Sequence, residues 1–305
     1  MDEIQKNLLG AVADLHEVPS GAYSIRANGK SLGRASSENI EIVPKDGADG
    51  IDIIIRPGTK KESVHIPVLL SESGLTETVY NDFYIGDGAD VLIVAGCGIH
   101  NGGDKESRHD GIHTFHVGKN ARLRYVEKHY GQGDGNGQRV MNPTTVIEID
   151  EGGTVEMETA QIKGVDSTDR VTRAVLAKGA TLTVKENLMT HGDQYAKTEF
   201  TVDMNGEGCA AHIISRSVAR DRSRQLFISK INGNAPCSGH TECDAIIMDE
   251  ATVSAIPEIT AAVPDAALIH EAAIGKIAGE QLMKLMSLGL TEKEAEEQIV
   301  SGFLK

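Results

Sequence analysis

The chain has 305 residues, 40% of them hydrophobic and 25% charged, a composition typical of a globular protein. Its net charge of −15 argues against nucleic acid or an anionic membrane surface as a partner. With 33 glycines, no tryptophan and only 4% aromatic residues, the composition favours strands and turns over a helical bundle. No signal peptide and no apolar run of about 20 residues is found, so we expect a cytoplasmic protein without a membrane span.

The first predicted element is a short helical segment over residues 1–20, with an apolar stripe along one face. From residue 21 to 262, β-branched runs punctuated by glycine and aspartate predict strands. Clear examples are IDIII at 51–55, VHIPVLL at 64–70 and TTVIEI at 144–149. The middle of the chain is therefore predicted to be almost entirely β.

A recurring unit lies within this block: an acidic or glycine turn, a small residue, then alternating apolar positions. The small residues follow one another at steps of 32, 33, 26, 30 and 41 residues, at Ala89, Ala121, Thr154, Ala180, Ala210 and Ala251. Because each unit carries strands but no helix, the spacing favours a β-helix over helical repeats. A β-sandwich is the competing architecture.

Residues 263–305 are predicted to form a helical domain. A first apolar stripe is followed by Gly289 as a C-cap, and Thr291 with Glu294 forms a capping box for a second helix. The stripes serve either core packing or the docking of another protein. They contain Leu282, Leu285, Met286, Ile299 and Phe303.

The stretch CSGHTECDA at 237–245 is the strongest candidate for chemistry. Cys237, His240 and Cys243 follow at intervals of three and supply two thiolates and an imidazole, a set that suits zinc or an iron–sulfur cluster. No second C-x-x-C exists, which argues against an autonomous zinc finger. The alternative is that His240 caps a turn and only one cysteine matters. The histidines of RHDGIHTFHVG are expected at a sheet surface.

Two enzyme classes lack their motifs. No G-x-x-x-x-G-K-[ST] occurs, so the chain is not itself a P-loop ATPase, and no G-x-S-x-G nucleophile elbow is present. The many carboxylates leave a β-helix enzyme acting on polysaccharide as an alternative, although few aromatic residues are available to stack on sugars.

The carboxyl end resembles the SufB/SufD family of iron–sulfur cluster assembly scaffolds. The resemblance rests on TECDAIIMDEATVSAIPEI, then PDAALIHEAAIGKI, then EQLMKLMSLGLTEKEAEEQIVSGFL. It implies a right-handed parallel β-helix with helical ends, and no enzymatic activity of its own. It also implies terminal helices that bind the separate ABC-type ATPase SufC, and dimerisation through the β-helix with the cluster forming near the interface.

The resemblance also assigns roles to residues. The cysteine of the family's cysteine–aspartate step falls on Cys243, and the His-Glu-Ala motif falls on His270 and Glu271. The resemblance implies that Cys243 is a cluster ligand and that Glu271 or His270 is a harder, more labile one. Having all three suggests one chain that does the jobs of both SufB and SufD as a homodimer, although a SufD-like paralogue stays open. Cys237 is expected as the second thiolate and His240 as an additional ligand.

Under this interpretation the cluster is transient, either [4Fe-4S] or [2Fe-2S]. Residues 151–205 contain no cysteine to receive sulfur as a SufB cysteine does, so sulfur must arrive by another route. The remaining alternative is a metal-free solenoid that only partners an ATPase.

Overall fold

The computed structural model describes residues 1–304 and shows a β-solenoid. The chain alternates between two ten-stranded sheets, with helix α1 (Glu3–Ala13) before them and helices α2 (Gly279–Ser287) and α3 (Glu292–Phe303) after them. The predicted fold class, mainly β with a solenoid core and helical ends, is confirmed. No helix in residues 1–304 is long and apolar enough to cross a membrane.

The two sheets face each other around the core. In spatial order, the first sheet contains β2 (Lys30–Ala35), β1 (Ala22–Ala27), β5 (Lys60–Leu70), β7 (Asp90–His100), β9 (Arg122–Gln132), β12 (Thr154–Lys163), β14 (Thr181–Thr190), β16 (Cys209–Ala219), β18 (Cys237–Ile247) and β20 (Ala266–Gly275). The second contains β19 (Thr252–Ala261), β17 (Arg224–Gly233), β15 (Tyr195–Met204), β13 (Ser167–Leu176), β10 (Arg139–Met141) with β11 (Thr144–Ile149), β8 (Ser107–Val117), β6 (Thr76–Ile85), β4 (Gly50–Ile55) and β3 (Ile40–Pro44).

Strands pair in parallel, except for the hairpins β1–β2 and β3–β4 at the amino-terminal end. Beyond these hairpins, the chain passes through the other sheet before it returns to the first one, so equivalent residues of successive coils lie in register. Phe83 and Phe115 illustrate the result, because their rings stack at 4.3 Å and 11°. Apolar side chains at alternate positions form such columns along the core.

The turns at the two edges of the solenoid differ. Where the chain enters the first sheet, the N–H of a small residue donates to the carbonyl three residues earlier, as in Ala89 to Gly86 and Cys209 to Gly206. The third residue of such a turn has a positive φ, for example 63° at Gly88. At the opposite edge it is the second residue that has a positive φ, as at Asp249, with 56°.

This difference corrects the repeat inferred from the sequence. Ala251 follows a turn at the opposite edge and begins a strand of the second sheet, so the step of 41 residues joins two different edges. The missed coil starts at Cys237, which pairs with Cys209. The repeat pattern does not include this coil because its turn, which carries Pro236, lacks the glycine or acidic residues of the other turns.

The carboxyl-terminal boundary also differs from the prediction. The segment from 263 was expected to be helical, but AALIHEAAIG forms β20 and pairs with β18 along its length. The helical part therefore begins at Gly279. The capping box of Thr291 and Glu294 is present at the start of α3.

The turns of successive coils stack so closely that some positions have room only for glycine. A Cβ atom on Gly206 would lie 2.0 Å from the backbone nitrogen of Lys178 in the preceding coil, so no side chain fits there. We expect Gly206→Ala to lower the free energy of unfolding by about 1–3 kcal/mol. Gly102→Ala is the control, since its added carbon would meet only the His100 side chain, at 3.4 Å. Equal denaturation midpoints for the two variants would contradict this packing.

Candidate functional site

The pleat of β18 divides the motif CSGHTECDA between two faces. Cys237, Thr241 and Cys243 point into the core, whereas His240 and Glu242 point outward. Cys237 and Cys243 are six positions apart on one strand, or about 20 Å. Two thiolates binding one metal ion lie within about 5 Å of each other. The prediction that these cysteines are joint ligands of one cluster therefore fails within a single chain.

Cys237 has a different neighbour. It lies directly opposite Cys209 in the register between β16 and β18, at the turn-proximal end of the core. Burial raises the pKa of both thiols. These two residues pack in the core in the manner of small hydrophobic side chains.

Cys243 lies in a polar part of the core. It is 1% exposed and is in register with Ser215, whose hydroxyl donates to Glu186 Oε2 at 2.8 Å. Burial raises the pKa of the Cys243 thiol to about 12, and the charges of Glu186 and Asp244 act in the same direction. The thiol is therefore protonated at neutral pH unless a metal ion displaces the proton.

His270 lies beside Cys243 on the inner side of the last coil. It is opposite Thr241, and the Thr241 hydroxyl is 2.6 Å from His270 Nδ1. The other nitrogen, Nε2, is shielded and has no hydrogen-bond partner in the described chain. Burial lowers the pKa of His270, with a further contribution from His240, so the imidazole is neutral and able to bind a metal.

His270 is displaced from Cys243 by one strand across the sheet and by two residues along it. This displacement corresponds to about 8 Å between their Cα atoms. The structure thus brings Cys243 and His270 to the same face.

Glu271 and His240 are on the opposite, outer face. Glu271 pairs with Glu242 in register, and its Oε2 lies 3.5 Å from His240 Nε2. His212 of β16 completes this outer group, with its Nε2 at 2.7 Å from Glu242 Oε1. Neither His212 nor Glu242 was predicted as a site residue from the sequence, although a period of two between His240 and Glu242 is visible there.

A row of buried polar residues, which no sequence motif indicates, leads away from Cys243 through the core. Arg170 lies between two carboxylates: its Nη1 contacts Glu127 at 2.5 Å, and its Nε is 3.6 Å from Glu186. Burial alone would raise the pKa of Glu127, but the charge of Arg170 lowers it well below its usual range. Burial raises the pKa of Glu186, against the opposing effect of Arg170.

The histidines of RHDGIHTFHVG were expected at the surface, and for two of them this is wrong. His109 is buried 3.1 Å from Glu77, and His113 is buried 2.9 Å from the hydroxyl of Tyr125. Only His116 faces outward, stacked on Tyr84 at 5.0 Å. His109 and His113 are four residues apart, which places them on the same face of a strand. The spacing does not show whether that face is the inner or the outer one.

The last coil is open. β19 and β20 are the final strands of the two sheets, and their second halves are exposed on both faces. Ile256 and Ile259 of β19 are 50% and 42% exposed. Cys243 thus lies one coil from an uncovered end of the solenoid.

The residues predicted for docking fall into two groups. Leu282 and Leu285 are half-buried in α2, and Met286 is exposed. Ile299 and Phe303 are half-buried in a groove against 244–246 and 272–278. The most exposed apolar side chains of α2 and its C-cap are Met283 and Leu288, at 65% and 76%, and neither was predicted for docking from the sequence.

The comparison with known families is decisive. The pattern described as "SUF system FeS cluster assembly, SufBD core domain" matches residues 75–303. The chain belongs to the SufBD family. The match covers strands β6 to β20, 15 of the 20 strands, and extends well beyond the carboxyl-terminal stretch that carries the clearest motifs.

Individual SufBD relatives agree. An iron–sulfur cluster assembly SufBD family protein of Methanocaldococcus jannaschii is 32% identical over 85% of this chain and 82% of its own length. One from Archaeoglobus fulgidus is 31% identical over 90% of this chain and 73% of its own length. One from Pyrococcus horikoshii is 26% identical over 93% and 86%.

The high pKa of Cys243 can be measured by site-resolved alkylation. Because the thiolate reacts, we expect the labelling rate of Cys243 to keep rising by about tenfold per pH unit between pH 9 and 10.5. In the urea-unfolded chain, the labelling rate of the cysteines should level off above pH 9, because the ordinary pKa of a cysteine is about 8.5. A plateau for Cys243 at the same pH as in the unfolded chain, with circular dichroism unchanged, would refute the assignment.

Proposed function

We propose that this SufBD family chain is a scaffold subunit on which an iron–sulfur cluster is assembled as cargo, with Cys243 as the principal ligand. The observation that carries the proposal is the position of Cys243 and His270 on the same inner face of the neighbouring strands β18 and β20, at the open end of the solenoid. A soft thiolate and an imidazole are both suitable ligands for iron. Only two side chains are supplied, so sulfide and a second subunit must complete the site.

The ligand set follows from the faces of the strands. His270 shares the inner face with Cys243, which favours it over Glu271 as the second, more labile ligand. A scaffold must release its product, and a mixed thiolate and imidazole set holds a cluster less firmly than four thiolates. Cys237 is removed from this set by its distance along β18.

The second subunit is proposed to be another copy of the chain. The edges of β19 and β20 expose unpaired backbone groups and apolar side chains such as Ile256 and Ile274. Uncovered edges of this kind form intermolecular sheets readily. A homodimer formed there would bring two copies of Cys243 towards one interface; a SufD-like paralogue is the alternative occupant.

The energy source is proposed to be a separate SufC-like ABC ATPase, since the chain has no phosphate-binding motif of its own. Met283, Met286 and Leu288 offer it an exposed apolar surface on the terminal helices. Nucleotide-driven closure of two ATPase subunits would pull the terminal helices together and strain the dimer interface. The scaffold itself performs no catalysis in this scheme.

Anaerobic reconstitution with iron and sulfide tests the cluster site. We expect Cys243→Ser to lose most of the cluster absorbance and the bound iron and sulfide, because the remaining ligands are too few. Cys237→Ser is the matched control, an inward-facing cysteine on the same strand, and should retain them. Equal loss in both variants, or none in Cys243→Ser, would overturn the assignment of Cys243.

Co-purification tests the ATPase surface. Replacing Met283 and Leu288 together by Glu should reduce capture of a co-expressed SufC-like ATPase at least tenfold, because charges cannot be buried in an apolar contact. Val43→Glu and Ile54→Glu, exposed apolar positions near the other end of the solenoid, form the control pair. Undiminished capture by the helix variant would place the ATPase elsewhere.

A further inference from the structure

The outer face of the carboxyl-terminal coils carries a second group of metal-binding side chains, separate from Cys243. His212 and His240 are in register on β16 and β18, and Glu242 follows His240 on the same face. One ligand atom from each of the three lies within 4.8 Å of the others. This grouping is unusual because the remaining outward-facing charges of the solenoid mostly form simple two-residue ion pairs.

We propose that His212, His240 and Glu242 form a binding site for a single divalent transition-metal ion, with Fe²⁺ as the physiological ion. The binding site stands on this geometry alone. The choice of Fe²⁺ rests on the proposed function in iron–sulfur cluster assembly.

The distances fit a metal site. Glu242 Oε1 is 2.7 Å from His212 Nε2 and 3.6 Å from His240 Nδ1. A metal ion with bonds of about 2.1 Å holds neighbouring ligand atoms about 3.0–3.5 Å apart. The two imidazole rings are parallel, with centroids 5.1 Å apart, so a rotation of one ring lets both nitrogens converge on the ion.

Glu271 has a positioning role. Its Oε2 lies 3.5 Å from His240 Nε2, on the side of the ring away from Glu242. A carboxylate that accepts the second ring N–H of a metal-bound histidine fixes its tautomer and orientation. In the described chain His240 Nε2 has no hydrogen-bond partner, so Glu271 would act by moving within hydrogen-bond distance of it, which leaves Nδ1 of His240 free to bind the metal.

The chemistry of the donors indicates a site for uptake and release. Two imidazoles and one carboxylate are the set used by non-haem Fe(II) centres, which keep open coordination positions. The side chain of His212 is 40% exposed, so solvent would reach the ion directly. Since Glu242 and Cys243 are consecutive residues on opposite faces of β18, the ion would be held across the sheet from the inner thiol.

Anaerobic titration of the full chain with Co²⁺, monitored by its visible ligand-field bands, tests the site, followed by competition with Fe²⁺. We expect one Co²⁺ per chain in the wild type and binding weakened at least tenfold in His212→Ala and Glu242→Gln. Glu271→Gln should weaken binding about 10–100-fold while the band positions stay unchanged. His116→Ala, an outward-facing histidine paired with Glu148, is the matched control and should bind as the wild type does.

Cys243→Ser separates this inference from the proposed function, because it should keep the Co²⁺ site while losing the cluster. If Co²⁺ binding is lost in Cys243→Ser and kept in His212→Ala, the metal binds at the inner face and the outer site is refuted, whereas the scaffold function stands. Absence of saturable binding in the wild type, or equal losses in His212→Ala and His116→Ala, would also refute it.

Discussion

The in-register stacking of parallel strands is the constraint on which every other feature of this chain depends. Neighbouring strands lie about 4.8 Å apart and side chains alternate between faces every residue. Each coil therefore repeats the environment of the one before it at matching positions. A residue's chemistry is set by two facts: the parity of its position, which selects core or solvent, and the coil to which it belongs.

Parity explains how one short motif contributes side chains to both proposed sites. In β18, odd-numbered residues line the core and even-numbered residues face outward, so Cys243 and Glu242 are neighbours in sequence but separated by the sheet. The inner thiol has a pKa raised to about 12 by burial, whereas the outer carboxylate is accessible to solvent and surrounded by imidazoles. Soft and hard ligand sets can thus be kept apart within two residues of chain.

The buried charges near Cys243 give the core an unusual character. Removing carboxylates and a guanidinium from water costs several kcal/mol per ion and is compensated only by close pairing. Arg170 satisfies this requirement by contacting both Glu127 and Glu186. The Glu186 carboxylate in turn accepts from Ser215, which lies beside Cys243. The electrostatics of the thiol are therefore connected to a charged row that runs across several coils.

The two ends of the solenoid differ in how well their strands are covered. The amino-terminal end is formed by the hairpins β1–β2 and β3–β4, and helix α1 covers the outer face of the nearby strands β5, β7 and β9, where a Cβ on Gly96 would lie 2.6 Å from the carbonyl oxygen of Val12. The last coil, in contrast, leaves Ile256 and Ile274 uncovered. An open end next to the candidate site is a reasonable place for assembly, because a closed core would not admit iron or sulfide.

The sequence by itself determined the fold class and the family, and it singled out Cys243 as the proposed principal ligand. Strand runs, glycine turns and the period near 30 residues are local signals, and the carboxyl-terminal motifs depend on spacing alone. The sequence could not assign Ala251 to its edge, because the turns at both edges use similar residues and differ mainly in which one has a positive φ.

Only the tertiary structure decided which residues meet. Sequence spacing suggested that Cys237 and Cys243 were joint ligands, but an extended strand separates positions that a compact turn would bring together. His212 joins Glu242 although 30 residues lie between them, and His270 reaches the inner face beside Cys243. These neighbours come from adjacent coils, and the register between coils is fixed by the packing of the whole solenoid, which no local pattern encodes.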